Sequence, residues 1–140
     1  MYKRKKYSVD ILISIQHVPK LGSYLLNTKD KQLILTLLKK RNILDWIHPE
    51  LKNDREFILE AVKNSYPAFL LVNMELRGDR EIVLTAVKQN GLTLQYANET
   101  LYSDREIVLS AVKSCGLALK YASTELCADR EIVFNLLNFF

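Results

Sequence analysis

The sequence predicts an all-α protein, a short α-solenoid of two-helix repeats with an N-terminal helical cap. Three observations predict it. The triplet Asp-Arg-Glu opens at Asp54, Asp79, Asp104 and Asp129, 25 residues apart each time, and self-similarity at a fixed period marks a repeat architecture. Each triplet leads into apolar residues at helical spacing, such as Ile82, Val83, Ala86 and Val87. Glycine (4) and proline (3) are too scarce for a turn-rich all-β fold. One unit of this length cannot bury its own apolar surface, and stacked copies share a continuous core.

Residues 1–29 form a basic N-terminus and helical cap, with a helix pair over 8–27 broken at Pro19. The opening MYKRKKYSVDILISIQ has a basic start and an apolar run. Asp10 interrupts that run, Gln16 and His17 end it, and no Ala-x-Ala-like cleavage site follows. No stretch approaches the roughly 20 apolar residues of a membrane span. A mature, soluble, intracellular protein is expected, cytoplasmic or nuclear. Residues 30–140 form the array, with units starting at 30, 54, 79, 104 and 129. The first is degenerate: DKQLILTLLK keeps the acid, the apolar positions and the closing lysine, with Lys31 and Gln32 in place of Arg and Glu.

Within a unit, Asp at the N-cap accepts hydrogen bonds from first-turn amides. The Glu two residues on sits at the positive end of the helix dipole, and Lys39, Lys63, Lys88 and Lys113 lie near the negative end. Gly91 and Gly116 stand where a left-handed C-terminal cap is expected; Tyr66-Pro67 takes that place one unit earlier. The apolar face is wide, as in a helix packed on both flanks. A shorter second helix follows at ILDWI, AFLLV, TLQYA and ALKYA. Two ladders are expected there, Leu44/Phe69/Leu94/Leu119 and Trp46/Leu71/Tyr96/Tyr121, with Tyr96 in the shared core. A last short helical or 3₁₀ turn begins at His48, Asn73, Asn98 and Ser123 and points Leu51, Leu76, Leu101 and Leu126 inward.

The recurring phrase DREIVLTAVK and DREIVLSAVK, with its spacing intact over 54–134, resembles the tandem repeats of the domain of unknown function 4116 family. The resemblance covers 30–140 and implies a helical repeat with no assigned activity. Residues 1–29 fall outside it.

Chemistry-bearing residues are sparse. Cys115 and Cys127 are too few for a disulfide framework and are read as reduced thiols. His17 and His48 lack partners at ligand spacing, and the two cysteines are twelve apart, so no metal site is expected. His48, where other units carry Asn or Ser, reads as a cap. No glycine-rich loop or nucleophile–base pair supports catalysis or a cofactor, and a non-enzyme is expected. Arg55, Arg80, Arg105 and Arg130 recur with their glutamates for a reason that core packing does not supply. Either each pairs with an acid or carbonyl of the adjacent unit, or the row receives a partner's acidic groups.

Charge is polar along the chain: residues 1–53 balance to +7 and residues 54–140 to −3, giving the formal +4. Lys3, Arg4, Lys5 and Lys6 are candidate anion-binding residues, read otherwise as a solvated end. The expected function is a scaffold mediating protein–protein interaction with an unidentified partner. The alternative is nucleic-acid binding through the basic N-terminus. In the last copy Phe134 replaces Leu, Leu136 replaces Ala, and Phe139 and Phe140 are added. Solenoids normally close on a polar face; here the C-terminal end is expected to be a contact or self-association surface unless the two phenylalanines fold back as a lid.

Overall fold

The structure is a computed structural model that describes residues 19–40 and 42–140. Among them every element is helical, in the order α1 (Pro19–Asn27), α2 (Lys31–Leu38), α3 (Arg55–Asn64), α4 (Arg80–Gln89), α5 (Arg105–Ser114), α6 (Thr124–Cys127) and α7 (Arg130–Phe139), with 3₁₀ segments between them. Helix α1 begins at Pro19, the expected break in the cap; the earlier half of that pair lies outside the described residues. Helices α2, α3, α4, α5 and α7 open the five units.

The aspartates do what their position requires. Asp30 and Asp54 accept from the amides of Leu33 and Phe57. Asp79, Asp104 and Asp129 each accept from two amides, those of residues two and three positions on. Such caps satisfy donors that have no intrahelical partner and are each worth about 1 kcal/mol.

The second helix of each unit takes the 3₁₀ form, over Leu44–Trp46, Tyr66–Leu71, Gly91–Tyr96 and Gly116–Tyr121. Three residues per turn place i and i+3 on one face, and Gly91, Leu94 and Ala97 are all buried. Of the two expected ladders, Phe69 and Leu94 are fully buried while Leu44 and Leu119 pack at the margin of the core. The aromatic ladder lies further out: Tyr96 is 40% exposed. It stands two residues beyond Leu94, so a period of three turns it away from the core. Leu51 is buried, and Leu76, Leu101 and Leu126 are half-buried against the same core.

The glycines act differently from the expectation. No described residue has positive φ, and the helix-ending residues Asn90 and Cys115 are extended at φ −146° and −153°. Gly91 is instead a close-approach position. A Cβ there would lie 2.1 Å from the carbonyl oxygen of Ala111, on the next unit's helix. At Gly116 the obstacle is a side chain, Leu136 Cδ1 at 2.9 Å, because leucine replaces alanine in the last copy.

Adjacent units are also stitched by hydrogen bonds. Asn98 N donates to Arg77 O and Ser123 N to Tyr102 O, both at 2.9 Å. Gln89 Nε2 donates to Val62 O at 2.7 Å, and the Tyr121 hydroxyl to Gln95 Oε1 at 3.1 Å. The expected cap at His48 is present, with Nδ1 accepting from Glu50 N at 3.2 Å. Ser123 makes no such bond, and its buried hydroxyl has no partner among the described residues.

Candidate functional site: the ion-pair ladder and the face of α7

The repeated arginines form a directional ladder between units. Arg55 Nε donates to Asp79 Oδ2 at 2.6 Å, its Nη2 to Asp79 Oδ1 at 3.2 Å and to Glu81 Oε2 at 2.8 Å. Arg80 meets Asp104 and Glu106 in the same way, and Arg105 meets Asp129 and Glu131. Each guanidinium therefore crosses to the N-terminus of the following helix and grips both its cap and its first-turn glutamate. Only a planar fork does this. In the degenerate first unit Lys31 reaches Asp54 at 2.6 Å, and Glu56 has no ion-pair partner among the described residues.

The electrostatics follow from this geometry. The hydrogen bonds that Arg55 donates to Asp79 and then to Glu81 raise its pKa further, as the equivalent pairs do for Arg80 and Arg105. Burial pushes the Asp79 and Asp104 carboxyls up, but the arginine hydrogen bonds and the capped amides outweigh it and hold both below their usual range. Asp129 is lowered chiefly by Arg105, and Asp54 chiefly by Lys31.

Arg130 is the exception. It occupies the same place in its unit as Arg55, Arg80 and Arg105, it is exposed, and no acid reaches it among the described residues. The helix it opens is uncovered as well. Val62, Val87 and Val112 are 0% exposed, whereas their counterpart Leu137 is 68% exposed. Phe134 is 63% exposed and Phe140 85%. Phe139 is the partial lid: its ring would touch a Cβ on Gly116 at 3.2 Å, and it meets Phe140 edge-on with centroids 5.7 Å apart. One phenylalanine covers the preceding unit and the other faces outward.

Lys3, Arg4, Lys5 and Lys6, with His17, lie outside the described residues. Cys115 and Cys127 are free thiols, and no cluster of three His, Cys, Asp or Glu able to hold a metal occurs among the described residues. No described helix is long and apolar enough to cross a membrane. An open cavity of about 390 Å³, lined by Met74, Arg77, Tyr96, Asn98, Glu99 and Tyr102, carries no cluster of ionisable groups at bonding distance. Sequence reading missed it because Tyr96 was assigned to the core; the 3₁₀ period is what turns that ring outward.

Stacked units joined by a ladder of this kind define an α-helical tandem-repeat protein. The family described as Domain of unknown function (DUF4116) matches residues 30–73, 54–102 and 104–138. The chain belongs to that family. Comparison with curated proteins and with solved structures gave no match.

Proposed function

We propose that this chain is a non-enzymatic helical-repeat scaffold for protein–protein interaction, with the outer face of α7 as a contact surface. One observation carries the reading. A position that is sealed in three internal units, at Val62, Val87 and Val112, is open at Leu137, beside exposed Phe134 and an Arg130 that no acid reaches among the described residues. An apolar patch rimmed by a charged group is the usual form of a protein contact. Arg55, Arg80 and Arg105 are engaged in the ladder; Arg130 and the exposed aromatics are the candidates left for a partner.

The test is an affinity pull-down from native lysate with wild type and a Leu137→Asp/Phe140→Ser variant, read by mass spectrometry. Partners held by wild type and lost by the variant are expected. An identical partner set from both proteins would remove α7 from the reading.

The second reading, nucleic-acid binding, is favoured by the +7 balance of residues 1–53. It predicts salt-sensitive binding that disappears from the full chain when Lys3, Arg4, Lys5 and Lys6 become serine. Binding that survives the substitution would place it elsewhere.

A further inference from the structure

We infer that the face of α7 takes the Asp30 end of a second copy of this chain, so that copies stack head to tail and extend the solenoid. This rests on the reading of α7 as a contact surface and names its occupant. Every internal junction has a donor side, an arginine or lysine beside an apolar face, and an acceptor side, an aspartate cap with the residue two positions on. Lys31–Asp54, Arg55–Asp79, Arg80–Asp104 and Arg105–Asp129 fill four junctions. Among the described residues one donor side is left over, at Arg130, and one acceptor side, at Asp30.

The Asp30 side has the matching features. Its Oδ1 accepts from Leu33 N at 3.0 Å, as an N-cap should, and no cation reaches the carboxylate among the described residues. Leu33 is only half-buried, although its counterparts Phe57, Ile82, Ile107 and Ile132 are buried. On α7 the reverse holds, with Leu137 uncovered. Leu137 is thus exposed and Leu33 only partly covered, both at positions that internal units bury. Gross charge favours the same approach, since residues 1–53 carry +7 and residues 54–140 carry −3; complementary fields steer encounter.

The junction between copies is weaker than those within one. Gln32 stands where Glu81, Glu106 and Glu131 receive an arginine, and an amide oxygen accepts a hydrogen bond without adding charge. Reversible association follows. Because donor and acceptor lie on different faces, the contact is heterologous and generates an open series instead of a closed dimer.

Sedimentation velocity of the full chain over a concentration series at low salt tests this. Wild type is expected to form species beyond the dimer that dissociate as salt is raised. Arg130→Glu should raise the dissociation constant about tenfold or more, because it sets like charges opposite each other. Asp30→Asn should weaken association in the same direction while keeping the cap, since asparagine caps as well as aspartate. Unchanged melting curves establish that both variants are folded. A wild type that stays monomeric overturns the inference, as does a dimer that grows no further, or association indifferent to both substitutions. A monomeric chain that captures a foreign protein through Arg130 overturns stacking and upholds the contact surface.

Discussion

Helices α5 and α7 open with the same residues, Asp-Arg-Glu-Ile-Val, behind the same two-amide aspartate cap. Their first apolar residues, Ile107 and Ile132, are equally buried. Beyond that point they diverge. In α5 the guanidinium of Arg105 is gripped by the next unit and Val112 is sealed; in α7 Arg130 is unpaired among the described residues and Leu137 faces outward. The helix and its cap are thus properties of one unit's sequence. Burial and ion pairing are properties of its neighbour, as the nearest-neighbour energetics of repeat proteins require. Equivalent positions, Val112 and Leu137, are thus core in one copy and open in another.

The largest expected effect separates the two regions directly. Leu94→Ala removes a fully buried side chain from the column between α4 and α5 and should cost about 2–5 kcal/mol. Leu137→Ala should change stability by less than about 0.5 kcal/mol, the usual range for a surface substitution. Tyr96→Ala should fall well below Leu94→Ala because its ring is partly outside. Urea denaturation of the three variants checks the order. Equal losses at Leu94 and Leu137 would mean that α7 is covered as α5 is.

A backbone comparison comes next. Gly91→Ala drives a methyl group toward the Ala111 carbonyl of the neighbouring helix, which can yield only by moving the helix. Overpacking of this kind typically costs about 1–3 kcal/mol. Gly78→Ala meets nothing nearer than Asn98 Cβ at 3.7 Å and has no positive φ to violate. It should be neutral or stabilise by up to about 1 kcal/mol through the unfolded chain. If thermal melts show both variants equally destabilised, the glycines have a common conformational role and not a close approach at one of them.

Much of this was legible in the sequence. Period, caps and unit boundaries are local and repeated, so one reading of Asp-Arg-Glu served four copies. The arginine row was legible as a choice between ladder and binding edge. It could not be resolved there, because pairing depends on the rise from one unit to the next. Gly91 was misread for a related reason: a glycine after a helix is usually an αL cap, and only the position of the Ala111 carbonyl shows that space, not φ, is limiting. Tyr96 was misread because alignment by period identifies equivalent positions without giving their direction. That direction depends on whether the segment turns every 3.0 or 3.6 residues.

The smallest expected effect concerns the ladder. Arg80→Ala removes a half-exposed ion pair and should lower stability only slightly, less at high salt; Arg130→Ala should cost nothing measurable. The pH dependence is the sharper measurement. Asp104 has a folded pKa below its unfolded value, so its contribution is fully present above the ordinary aspartate value near 3.9. That contribution is lost as pH falls through the lower folded value. In wild type, burial raises that carboxyl and Arg80 with the capped amides pulls it down. Without Arg80 the opposition weakens, the carboxyl protonates at higher pH, and acid unfolding should begin earlier. Arg130 touches no described carboxylate, so its removal should leave the acid transition in place. Carboxyl titration by NMR, with acid unfolding followed by circular dichroism, reads both. Superimposable acid transitions for wild type and Arg80→Ala would show that the ladder orders side chains without holding the units together.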